Sequence, residues 1–183
     1  MIRSLALAVA LSAVTVLVGC EETQRTTPRR LTPPRPKPEI MKVIRDARPN
    51  RMTLIVGPKA EDVEGDGQAD IISVSVVLFA EPRPEPVIVP GEFVFEAIPM
   101  TRDEGGSFPP MIWRFTSAEV QASEGPTMFG LPGYRFKLDV RDVRNEPLPS
   151  LVVNIRGWFQ PADGGPPVSC RPDQRLVRLG DAS

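Results

Sequence analysis

The chain contains no histidine. That absence excludes the Ser-His-Asp and Cys-His forms of nucleophilic catalysis and removes the commonest transition-metal ligand. Cysteine is nearly as scarce, with Cys20 and Cys170 alone. Formal net charge is −1 at pH 7, and lysine is scarce beside arginine. No bulk electrostatic attraction therefore draws the protein to nucleic acid, which is not expected as a partner. The one long apolar run, Leu5 to Val18, is about 14 residues and falls short of the roughly 20 that a helix needs to cross a bilayer. No window of about 11 residues or more keeps a helical period, so no long helix is expected. No Gly-rich phosphate loop follows a strand into a helix.

What the N-terminus does contain is the three-part pattern of an export signal: the positive Arg3, the apolar run, and a small residue at Gly19. The run ends in Leu17-Val18-Gly19-Cys20, which resembles the lipobox of bacterial lipoproteins. The resemblance implies that the Cys20 thiol takes a diacylglycerol, that the signal (residues 1–19) is cleaved after Gly19, and that the new amino group is acylated, with palmitate among the chains attached. Lipid on Cys20 makes a membrane the first expected partner. Two or three acyl chains make such anchoring stable, since each buried CH₂ contributes about 0.8 kcal/mol. Glu21 follows where the family's inner-membrane retention signal is an Asp, which favours an outer-membrane protein facing the periplasm or the cell surface. A plain secretory signal with an incidental Cys20 is the blander reading. If Cys20 is lipidated, Cys170 stands alone and no intramolecular disulfide is available. Cys170 is then either a buried inert thiol or one that reacts or pairs with another chain.

Residues 20–38 read as a tether: Thr, Arg and five prolines with hardly an apolar side chain, too little surface to offset the entropy of ordering. Extended as polyproline II, it reaches roughly 50 Å. Residues 39–183 read as one domain. Ile40 to Arg45 fit a short strand or a helical turn equally. From Arg51 the pattern is period two. Met52, Leu54 and Val56 form one face of a first strand, and Ile72, Val74, Val76 and Leu78 one face of a second, opposite Ser73 and Ser75. Phe93 and Phe95 follow, then Met111, Trp113 and Phe115. Tyr134, Phe136, Leu138 and Val140 alternate strictly with Arg135, Lys137, Asp139 and Arg141. Leu151, Val153 and Ile155 repeat the pattern, and a last strand is expected over 175–179. Ser117 to Ala122 fits one helical turn with Ser117 as N-cap. Pro/Gly turns separate these runs. The fold class expected is all-β: a single antiparallel β-sandwich of about seven strands, immunoglobulin-like or transthyretin-like, following a signal peptide and a disordered Pro-rich tether. The stretch from Val76 to Cys170 also resembles bacterial β-sandwich lipoproteins with a comparable strand, Pro-Gly and Trp-x-Phe arrangement, a likeness that brings no activity with it.

One constellation has metal-ligand spacing. Asp62, Glu64, Asp66 and Asp70, with glycines at 65 and 67, resemble the calcium loops of EF-hand, dockerin and thrombospondin-type repeats, whose oxygens at positions one, three and five wrap a hard cation. Ser73 stands where an EF-hand has its bidentate Glu, so a weak single-loop calcium site is the expectation and an acidic turn its bland counterpart. No other cofactor is expected. Trp113, Tyr134 and Trp158 are candidates for a sugar-stacking platform, although period two places the first two in the core and only Trp158 outward. Glu92 and Glu96 share the outer face of one strand, and Ser150, Ser169 and Thr116 lack a base. The functional expectation is a lipid-anchored, non-enzymatic cell-envelope protein whose β-sandwich is a binding or structural module, with an envelope protein or wall polysaccharide as partner. The alternative is a module for carbohydrate or cell-wall polysaccharide, accessory to an envelope enzyme. A hydrolase working through paired carboxylates alone is more distant.

Overall fold

The computed structural model describes residues 41–100, 108–144, 146, 148–171 and 175–181. The strands, in chain order, are β1 (Arg51–Val56), β2 (Gln68–Ala69), β3 (Ile71–Phe79), β4 (Pro86–Val87), β5 (Gly91–Pro99) and β6 (Met111–Phe115), then β7 (Glu124–Pro126), β8 (Pro132–Asp139), β9 (Leu151–Pro161), β10 (Val168–Ser169) and β11 (Leu176–Asp181). One short helix, α1 (Ser117–Ala122), separates β6 from β7, and a single 3₁₀ turn (Val140–Asp142) follows β8. No helix among the described residues is long and apolar enough to cross a membrane.

The strands pair antiparallel into two sheets. One runs β1-β3-β8-β7, with β4 continuing the β8 edge of β3; the other runs β2-β11-β9-β5-β6, with β10 beside β9. The protein is an all-β sandwich. The seven alternating segments of the sequence became the seven strands of five residues or more. The remaining four are two- or three-residue pieces, too short for any period to register. The last strand lies one residue later than 175 and continues to Asp181.

Alternation puts one face of each sheet inward. Ile72, Val74, Val76 and Leu78 of β3 meet Phe93 and Phe95 of β5 and Val153, Ile155 and Phe159 of β9, all at most 1 % exposed. Phe136 of β8 stitches the layers, its ring 5.2 Å from Phe93, 5.1 Å from Phe95 and 4.6 Å from Phe115. Gly157 stands opposite Phe95 in the β5–β9 ladder. A Cβ there would lie 2.9 Å from the Phe95 ring, so the ring fills the space a side chain would need. Burying one such aromatic contributes roughly 1.5–3 kcal/mol.

Three local features differ from the sequence reading. The N-cap of α1 is Thr116, not Ser117. Glu119, three residues on, accepts from both the Thr116 N–H and its hydroxyl at 2.7 Å, and the reciprocal arrangement of a capping box fixes the start one residue earlier. Secondly, the face of β3 that carries Ser73 and Ser75 is largely covered: Ile71, Ser75 and Val77 are buried as well. The connection between β7 and β8 folds over that face, and the Met128 N–H reaches Ser75 Oγ at 3.4 Å. Thirdly, residues 43–49 are neither strand nor helix but a strap. Ile44 bridges Val87 in parallel, through Ile44 N–H to Pro86 O and Ile88 N–H to Ile44 O, both 2.9 Å. Arg45 pairs with Glu124 of the first sheet, and Arg48 with Asp163, just beyond β9 of the second, at 2.9 Å.

Candidate functional site

The acidic loop lies between β1 and β3 and closes on itself. Gly65 and Gly67 adopt φ of 72° and 85°, a region costly for residues with a Cβ. Their N–H groups thereby converge on one carboxylate: Asp62 accepts from Gly65 N–H at 2.7 Å and Gly67 N–H at 2.9 Å. Asp66 accepts from Gln68 N–H at 2.8 Å. Each aspartate thus satisfies its own turn, the usual local use of this side chain.

The other two carboxylates go elsewhere. Arg141, in the 3₁₀ turn after β8, gathers three acidic side chains: Glu64 from the loop, Asp70 at the entry to β3 (Nε to Oδ2, 3.1 Å) and Asp139 at the end of β8 (Nη2 to Oδ2, 2.8 Å). The β3–β8 ladder, in which Ile71 faces Asp139, brings residues so far apart in sequence to one point. Hydrogen bonds from Arg141 hold the Asp139 carboxyl below the usual carboxylate range. Asp70 shifts the other way: burial raises it more than Arg141 lowers it, and the neighbouring negative charge of Asp139 adds to the rise. The guanidinium itself is raised by the Asp139 and Glu64 hydrogen bonds.

Beside this hub is a half-open cavity of about 370 Å³ lined by Asp66, Gln68, Asp70, Arg141, Arg144 and Leu148. Arg144 stacks over Phe108 at 5.3 Å from the ring centre. The cavity presents both signs of charge around an apolar floor. It offers no nucleophile with a base beside it. Hydrolysis by paired carboxylates needs one carboxyl protonated and free to donate. Asp70 is the raised carboxyl here, with its Oδ2 3.1 Å from Arg141 Nε.

The structure therefore does not bring Asp62, Glu64, Asp66 and Asp70 around a common centre. Among the described residues, no group of three or more Asp, Glu, His or Cys is placed to hold a metal ion. The stacking platform is dispersed too. Trp113 and Tyr134 are core residues, with Trp113 Nε1–H donating to Asp139 O at 2.7 Å and the Tyr134 hydroxyl donating to Val89 O and accepting from Val89 N–H, both at 2.9 Å. Trp158 is half-buried on the outer face of β9, opposite Val94 and Ser169. Glu92 is exposed and Glu96 half-buried, the latter opposite Arg156 in register. Ser150, Ser169 and Thr116 lie at the surface. Cys170 is buried, its Sγ 3.9 Å from an Arg175 nitrogen. Gly19 and Cys20 lie outside the described residues.

No family model matches the chain, and no curated protein or solved structure matches it.

Sequence reasoning missed Arg141 as the hub. The signal was present locally, since Asp139 and Arg141 are two apart, at the end of a strand and in the turn that follows it. The partners Glu64 and Asp70 come only through the β3–β8 pairing.

Proposed function

We propose that this is a lipid-anchored cell-envelope protein whose β-sandwich is a non-catalytic binding or structural module. The observation that carries the reading is the sequence Leu17-Val18-Gly19-Cys20 closing an apolar run of signal length. The absence of histidine, and the engagement of Asp62, Asp66, Asp70 and Asp139 by arginine or turn N–H groups, favour a module that binds over one that reacts. The Pro-rich residues 20–38 act as spacer. Glu21 favours the outer membrane, with the domain in the periplasm or at the cell surface. The test is labelled palmitate fed to a host competent for lipoprotein processing and expressing the precursor beside Cys20→Ala. Label on the parent alone is the expected result; label on both, or on neither, ends the proposal.

A second reading, a module for carbohydrate or wall polysaccharide, is favoured by Trp158 alone. It is the one indole on an outward face, and aromatic faces stack on sugar rings. Glycan-array binding lost in Trp158→Ala would select this reading, and no binding by the parent would remove it.

A further inference from the structure

The connection between β7 and β8 ends in the sequence Thr127-Met128-Phe129-Gly130. It is a tight, ordered tip: Thr127 N–H donates to Leu131 O at 2.7 Å and Gly130 N–H to Thr127 O at 2.8 Å. At its apex Phe129 is 72 % exposed and Met128 43 %. A phenyl ring and a thioether thus adjoin at one exposed turn, a small apolar point that a partner can receive. Two observations narrow which one. Pro126 pairs opposite Pro132 at the tip's base, and proline lacks the N–H needed to add a further strand. A patch of two side chains is also far below the roughly 800 Å² per partner of a stable protein interface. It suits a wedge entering a soft, apolar medium.

The charge beneath the apex fits such a medium. Met128 helps to line a groove shared with Ser73, Ser75, Ser123, Arg135 and Lys137. Arg135 is exposed and has no carboxylate partner among the described residues; Lys137 has only Glu61 at 4.0 Å. Glu124, at the same groove, is paired with Arg45, and Glu61 accepts the Ser73 hydroxyl. Arg135 and Lys137 thus follow along β8 from the two apolar side chains of the turn that leads into it, the order in which phosphate and acyl chains follow one another at a bilayer surface.

We propose that the Met128–Phe129 tip inserts into the interface of an anionic phospholipid membrane, with Arg135 and Lys137 at headgroup level. The inference does not require lipid on Cys20 and can fail independently of it. The experiment uses the mature chain from residue 20 carrying Cys20→Ser, so that no acyl chain contributes, with vesicles of neutral phosphatidylcholine or of phosphatidylcholine mixed with phosphatidylglycerol. Binding is expected to the anionic vesicles, falling about tenfold in Phe129→Ser and severalfold in Arg135→Gln. In Phe129→Trp, fluorescence is expected to be quenched by lipids brominated in the acyl chain, beyond the parent's response. Unchanged binding in Phe129→Ser would assign any attraction to the arginines of residues 20–38 and overturn the proposal. So would absence of quenching, or self-association that depends on Phe129 without vesicles, which would assign the tip to a second copy. Phe129 is at the surface, so its replacement leaves the fold intact, and unchanged circular dichroism checks this.

Discussion

Tyr134 is the chain's single tyrosine, and burial pushes its hydroxyl up to about 12, with the Val89 N–H pulling it partly back. Below pH 10 the ring is protonated in both folded and unfolded states, and its contribution to stability is intact. As pH rises from 10 toward 12 the unfolded chain ionises first, so stability is lost, by about 2–3 kcal/mol across a displacement of two units. Because no other tyrosine absorbs, alkaline difference spectroscopy is expected to show one ionisation displaced upward, with the denaturation midpoint falling over the same interval. An ionisation near 10 in the folded protein would show the hydroxyl to be accessible. Tyr134→Phe keeps the ring but leaves Val89 without its side-chain partner, which costs about 1–3 kcal/mol and is readable by urea denaturation. Which residues would be inward was legible wherever the strand face decided it, as for Tyr134, Phe136 and Leu138. Ser75 was not legible, because what covers it arrives from a turn some fifty residues away.

At the scale of elements, the long strands were legible through their alternation. Their accessory pieces were not, because β2, β4 and β10 exist only through pairing with strands already formed. The candidate site was legible in its residues but not in its arrangement. Spacing located the acidic loop, yet turn hydrogen bonds and a long-range arginine decide where its carboxylates point. The hub has an opposed acid response. Asp139, lowered in the folded state, contributes stability that is present above the ordinary carboxylate range and lost as pH falls through it. Asp70, raised, contributes stability at low pH that is lost as pH rises through its folded value. Asp139→Asn is therefore expected to lower the melting temperature at pH 7, whereas Asp70→Asn is expected to leave it level or raise it; equal losses in both would contradict the opposed signs. Since Asp62 and Asp66 already accept turn N–H groups, millimolar Ca²⁺ is expected to leave the melting temperature where chelator leaves it. A rise with Ca²⁺ that disappears in Asp62→Asn/Asp66→Asn would show that the loop reopens around the ion.

For the whole molecule, the compact unit spans Glu39–Ser183, and its two sheets share one aromatic core. Limited proteolysis is expected to remove residues ahead of about 39 and to leave the sandwich resistant. Early cleavage within 71–79 or 132–139 would contradict the burial of β3 and β8. In the sequence a change of composition falls near the same place, Thr, Arg and Pro giving way to alternating apolar residues. The handover between the two was not legible, because residues 43–49 carry neither period.

That strap has a mechanical consequence. A pull applied from ahead of Met41 meets Ile44 before it reaches β1. The Arg45–Glu124 and Arg48–Asp163 pairs are solvent-exposed and resist little. The principal resistance lies in the two backbone bonds of Ile44 and the packing of Val43, Ile44 and Ala47 on the core. Under load the strap would peel first and lengthen the lead while both sheets stay closed, so a pull would be taken up before it reached the fold.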